Sequence, residues 1–90
     1  MVKVKFTSAL KRFFPTLSET SVEANNIRDV IEALEKAHPG LSGYLVDDAG
    51  RLRQHVNVFV KDDLIKDRIR LSDQLKENDE VLIFQALSGG

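Results

Sequence analysis

The 90-residue chain has no cysteine and no tryptophan, one methionine, one tyrosine and two prolines. Without cysteine there is no disulfide, no thiolate metal site and no cysteine nucleophile. A lone Tyr44 and lone Met1 leave no aromatic platform for stacking bases and no methionine-rich groove. No apolar run approaches the length that crosses a bilayer, and the start Met1-Val2-Lys3-Val4-Lys5 lacks the apolar centre of a secretory signal. A cytoplasmic protein is therefore expected, with no membrane contact. Neither charge sign dominates: 13 basic and 14 acidic residues leave a formal net charge of -1. The basic residues Lys3, Lys5, Lys11 and Arg12 fit a solvated strand face better than a nucleic-acid surface.

What is present suits one small domain over residues 1–90. The composition is 42% apolar and 30% charged, and folding at this length buries roughly 60–65% of the unfolded surface. Val2, Val4 and Phe6 alternate with Lys3, Lys5 and Thr7, the period of a strand with one buried face. Ala9, Leu10, Phe13 and Phe14 either extend it or form a loop ending at Pro15. A weaker strand is expected within Ser18 to Glu23, returning as a hairpin.

The clearest helix begins at Ile27. Ile27, Val30, Ile31, Leu34 and Ala37 share one face, Asn26 is a natural N-cap, Asp29 places a negative charge in the first turn, and Pro39-Gly40 ends the element. Leu41 to Gln54, with the turn signal Asp47-Asp48-Ala49-Gly50, reads as a loop holding a short helical turn or a hairpin. His55 to Val60 reads as a strand with Val56, Val58 and Val60 on one face, followed by a turn at Lys61-Asp62-Asp63. Ser72 to Leu75 suggests one turn of helix, and Lys76 to Asp79 a polar bend. Glu80 to Ala86 is the most apolar strand, expected at the centre of a sheet and covered on both faces. One good helix among strands predicts an α+β sheet with the helix across one face, Val2, Val4, Phe6, Leu82 and Phe84 lying against Ile27, Val30, Ile31 and Leu34.

Side chains offer little chemistry. His38 at a helix end and His55 at a strand start have no partners at metal spacing. The pairs Asp47-Asp48 and Asp62-Asp63 read as turn residues, and the glycines at 40, 43, 50, 89 and 90 form no phosphate loop. No catalytic residue and no metal site is assigned, and no cofactor is expected to be bound. The terminal carboxyl remains. Two glycines at the end of a chain occur by chance in about 1 chain in 200, and they fit either a frayed tail or a slender segment at 86–90 threaded into another protein's active site. A carboxylate, ionised far above its pKa of about 3.5, reacts with nucleophiles only after activation, for instance as an acyl-adenylate.

The stretches Asn57 to Val60, Leu71 to Leu75 and Asn78-Asp79-Glu80-Val81-Leu82-Ile83-Phe84-Gln85-Ala86-Leu87-Ser88-Gly89-Gly90 resemble the MoaD/ThiS group of ubiquitin-like sulfur carrier proteins. The resemblance implies a β-grasp fold and a protein co-substrate, not an enzyme acting alone. It implies adenylation of Gly90 by an E1-like enzyme that uses ATP and magnesium, then conversion to a thiocarboxylate with sulfur from a sulfurtransferase or other donor. Gly89 and Ser88 would thread the tail, and Leu87 and Phe84 would contact partners, Phe84 being equally compatible with a core position. The sulfur would serve cysteine, molybdopterin or thiamine synthesis or tRNA thiolation, with a cysteine synthase or the large subunit of molybdopterin synthase as acceptor. The long middle, Leu41 to Gln54, resembles the cysteine-synthesis type more than the compact small subunit of molybdopterin synthase. A ubiquitin-like modifier joined to target lysines needs the same tail, and a passive interaction domain would not use it.

Overall fold

The computed structural model describes residues 1–85. The elements run β1 (Val2–Phe6), α1 (Ser8–Lys11), β2 (Thr20–Val22), α2 (Ile27–Ala37), α3 (Ser42–Leu45), β3 (Val56–Val60), β4 (Asp63–Leu64) and β5 (Glu80–Gln85). The five strands form one mixed sheet in the order β2-β1-β5-β3-β4. β1 and β5 are parallel, with Val4 opposite Val81 and Phe6 opposite Ile83. β3 runs antiparallel to β5, with Val58 opposite Ile83 and Val60 opposite Val81.

This register decides which side chains are buried. Partners in a ladder share a face and successive residues alternate. Val2, Val4, Val56, Val58, Val81 and Ile83 therefore enter one layer and pack with Ile27, Val30, Ile31 and Leu34 of α2, Val4, Val56, Val58 and Ile83 being fully excluded from water. β5 is central, as expected, but only one of its faces is covered. Leu82 is half-buried and Phe84 is 40% exposed, so the expectation that these two face the helix is overturned. Composition along β5 cannot distinguish its two faces; pairing with the charged alternation of β1, where Leu82 stands beside Lys5, does.

α2 forms where its periodicity indicated. The Asp29 N–H donates to Asn26 Oδ1 at 2.9 Å, and Asp29 Oδ2 accepts from the Asn25 N–H at 3.0 Å, a reciprocal cap. The buried stripe ends at Leu34, and Ala37 in the last turn is exposed. Asn26→Ala should lower stability by about 1 kcal/mol, read from the urea midpoint with an unchanged slope.

Three local expectations change. Residues 9–11 neither extend β1 nor form a loop: they lie in α1, because Ala9 and Leu10 bury together. Ser72 to Leu75 is not helical. The Ile27 and Arg28 N–H groups at the start of α2 donate to the carbonyls of Asp73 and Leu71, while the Leu75 N–H donates to Asn25. An extended segment can offer its carbonyls to another element's free donors; a helical turn would consume them. β4, paired with β3 after a turn in which Lys61 has φ of 58°, was not foreseen within the expected turn. The segment 41–54 holds both α3 and a bridge between Val46 and Leu52, closed at Gly50 by φ of 82°.

The connection from β4 to β5 is organised by two carboxylates, those of Asp67 and of Asp73, the latter accepting the Lys66 and Asp67 N–H groups at 2.9 and 2.7 Å. Asp67 accepts the Ser72 hydroxyl and the N–H groups of Ile69, Arg70 and Ser72. The Ser72 hydroxyl first, then the Arg70 N–H, holds its carboxyl down at about 2. A depressed native pKa contributes stability that is present above the unfolded value near 4 and is lost as pH falls toward 2. Asp67→Asn should therefore melt below the parent at neutral pH, and the gap in Tm should close between about pH 4 and 2.

Candidate functional site

Asp79, 6% exposed, sets the start of β5. Its Oδ2 accepts the Lys76 N–H at 2.8 Å, its Oδ1 lies 3.6 Å from Lys61 Nζ, and its carbonyl accepts the Lys3 N–H at 2.9 Å. Asn78 takes φ of 68° in the bend before it. The polar bend noted in the sequence thus acts structurally, fixing where β5 enters the sheet and so which residues appear on each face.

From there β5 runs between β1 and β3 to Gln85. The Thr7 N–H donates to the Ile83 carbonyl at 3.3 Å on one side, and Val56 pairs with Gln85 on the other. His55 Nε2 lies 3.2 Å from the Gln85 amide nitrogen. Among the described residues, Thr7 Oγ1 and Gln85 Oε1 are buried without a hydrogen-bond partner. The strand that leads to the tail is thus held by β1 as far as Ile83 and by β3 as far as Gln85. Gly90, Gly89, Ser88 and Leu87 lie outside the described residues.

Phe84 is described, and it stands on the open face of the sheet. In register with it is Asn57, and the next pair on that face is Phe59 with Leu82; Phe59 in turn stands opposite Leu64, which is 53% exposed. Phe59, Leu64, Leu82 and Phe84 make an apolar strip across β4, β3 and β5. Lys3, Lys5 and Glu80 flank it, with Lys5 Nζ 3.7 Å and Lys3 Nζ 4.0 Å from Glu80 Oε1. Such half-exposed pairs contribute little stability. Leu82 was expected beside Phe84, though on the helix side; Leu64 was not expected there, nor was Phe59, although the alternation of Val56, Val58 and Val60 already placed Phe59 on the opposite face.

The histidines stand apart. His38 is the C-cap of α2, its ring edge-on to Phe14 at 6.5 Å. Among the described residues no three His, Asp or Glu side chains converge as a metal ion would require. Tyr44 is not isolated as its single occurrence suggested: it stacks on Phe13 at 5.0 Å and meets Phe14 edge-on at 5.5 Å. Among the described residues no helix is long and apolar enough to cross a membrane.

A mixed sheet with a central strand leading to the tail, one main helix across one face and an open apolar strip on the other is the β-grasp architecture of ubiquitin-like proteins. The ThiS family profile matches residues 4–90, and the chain belongs to that family. It is 28% identical over 91 residues to the sulfur carrier protein CysO of Mycobacterium tuberculosis, covering 99% of this chain and 98% of that one. The crystal structure of M. tuberculosis CysO superposes with a TM-score of 0.82 at 26% identity, over 97% of this chain and 100% of the other. Small archaeal modifier protein 3 of Haloferax volcanii is 28% identical over 88 residues, 88% of this chain and 95% of that protein. The Amycolatopsis orientalis BexX/CysO complex contains a chain that matches with a TM-score of 0.84 at 22% identity, covering 100% of both, a likeness of fold.

Proposed function

We propose that this chain is a sulfur carrier that works through the carboxyl of Gly90. An E1-like enzyme joins that carboxylate to the α-phosphate of ATP with magnesium, releasing pyrophosphate. A sulfide-level nucleophile from a sulfurtransferase or other donor then attacks the carbonyl and expels AMP, leaving a thiocarboxylate. The acceptor enzyme takes the sulfur, and water attacking the carbonyl restores the carboxylate, so the chain is a co-substrate rather than a catalyst. The observation that carries this reading is the family match, which runs through Gly89-Gly90. Similarity to the sulfur carrier protein CysO over nearly the whole of both chains supports the carrier role, and the long middle, Leu41 to Gln54, favours a cysteine synthase as acceptor over the molybdopterin synthase large subunit.

Phe84 and the strip around it supply the docking face in this reading. An aromatic side chain 40% exposed beside Phe59 and Leu82 loses water only when a partner covers it, which is the setting of an interface anchor. Leu87 adds a second anchor and Ser88 and Gly89 the narrow approach.

The test is the intact mass after incubation with the activating enzyme, ATP, magnesium and sulfide. The mass should rise by the difference between sulfur and oxygen, and an unchanged mass with active enzyme would sink the proposal. The similarity to small archaeal modifier protein 3 favours a second reading, in which the adenylated tail is joined to lysines of target proteins. That reading requires a ladder of conjugates in lysate that disappears when the chain is cut after Ser88.

A further inference from the structure

Three arginines converge where β3 begins. Arg51, Arg53 and Arg68, with His55, Asp47 and Ile69, line an open cavity of about 600 Å³ between the 46–52 hairpin, the start of β3 and the turn at 68–70. Three guanidiniums against one carboxylate leave two net positive charges here with histidine neutral, in a chain whose total is -1. Only Arg51 has a carboxylate partner among the described residues, Asp47 Oδ2 at 3.1 Å. Arg68 spends its donors on neutral acceptors, the carbonyls of Arg53 and Val56 at 2.7 and 2.8 Å and Asn57 Oδ1 at 3.1 Å. Arg53 Nε bonds the Gly43 carbonyl at 2.9 Å. These bonds hold the guanidiniums in place without neutralising them, which is how a fixed positive potential is built.

The position links this cavity to the tail. His55 on its rim touches Gln85, and Val56, whose carbonyl Arg68 holds, pairs with Gln85 in the sheet. The described end of β5 thus stands beside this rim, while the apolar strip with Phe84 occupies the sheet face alongside.

The geometry points to carboxylate side chains of the adenylating enzyme as the occupants of this cavity. A phosphate is usually cradled by free backbone N–H groups. Five of the eight lining residues spend theirs elsewhere: Asp47 donates to the Arg51 carbonyl, Arg51 to the Asp47 carboxylate, Leu52 to the Arg68 carbonyl, Arg53 to Leu45 and Ile69 to the Asp67 carboxylate. The guanidiniums stand on an open rim, and acidic side chains on a facing protein surface complement them. This contact orients the carrier so that the tail enters the nucleotide site, and it rests on the proposed sulfur-carrier reading.

The experiment is calorimetric titration of the cognate E1-like enzyme, without ATP, by the full chain and by Arg53→Glu, Arg51→Glu and Arg53→Gln. Each charge reversal should weaken binding about tenfold or more at low ionic strength, with Arg53→Gln intermediate. The difference should shrink as salt approaches about 1 M, where the screening length is about 3 Å. Melting curves establish that the variants fold. Equal affinity of parent and reversed variants, or a loss that salt leaves unchanged, overturns the contact. In a parallel adenylation assay with ATP, a change confined to the KM for ATP also overturns it, assigning the arginines to the nucleotide's phosphates. Salt-sensitive binding with no adenylate formed leaves the contact standing and removes the sulfur-carrier reading. Absence of binding by the parent chain removes both.

Discussion

Gly90→Val should reduce adenylation by about 100-fold or more while leaving the melting temperature where it is. The reaction needs the terminal carboxylate in line with the α-phosphate of ATP, and misplacement of a reacting atom by about 1 Å is enough for a 100-fold loss. Glycine has no Cβ, so walls of a narrow channel can close on its backbone from both sides; a branched side chain prevents that approach. Deleting Gly90 should abolish sulfur loading, because it shortens the reach by about 3.3 Å even though a glycine still ends the chain. The two measurements are pyrophosphate exchange with the activating enzyme and intact mass after sulfide loading. Stability should be unaffected since, among the described residues, the buried apolar side chains of the core lie between Val2 and Ile83. A Gly90→Val chain that loads sulfur like its parent would show that the tail is not read in a narrow channel.

Neighbouring positions in β5 should separate stability from recognition. Ile83 is fully buried at the centre of the sheet, paired with Phe6 on one side and Val58 on the other. Ile83→Ala removes apolar contact and leaves a cavity between two strands and α2, an expected loss of about 2–5 kcal/mol. In a domain of this size that lowers the melting temperature by about 10–30 °C. Phe84→Ala should cost far less stability, since that ring already stands partly in water, and should instead weaken binding to the activating or acceptor enzyme by about 2 kcal/mol or more. Thermal melts and titration of the two variants side by side provide the check. If Phe84→Ala melts as low as Ile83→Ala, Phe84 belongs to the core and the open face loses its role.

Much of the architecture was legible because local patterns and global packing agree. The helix from Ile27 carries a stripe, a cap and a stop in one continuous stretch, and β1 and β3 show one-sided alternation, so each could be read without its neighbours. β5 was legible as the central strand but not in its facing. Val81, Leu82, Ile83 and Phe84 are all apolar, and alternation is invisible where every position has the same character. The segment 72–75 failed for another reason. Its extended path is imposed by the free N–H groups at the start of α2, more than forty residues earlier, and nothing within Ser72-Asp73-Gln74-Leu75 records that demand.

The site divides in the same way. Absence of cysteine, the scattered histidines and the terminal Gly-Gly pointed to the carboxyl of Gly90 by elimination and resemblance, since these are properties of composition and order along the chain. Tertiary structure alone decided that Phe84 and Leu82 stand outside rather than against the helix, that Phe59 and Leu64 join them, and that Arg51, Arg53 and Arg68 meet beside Gln85. Those groupings come from strand register and from backbone carbonyls that hold guanidiniums in place. Both bring together residues far apart in sequence, and neither leaves a periodic signature for the sequence to show.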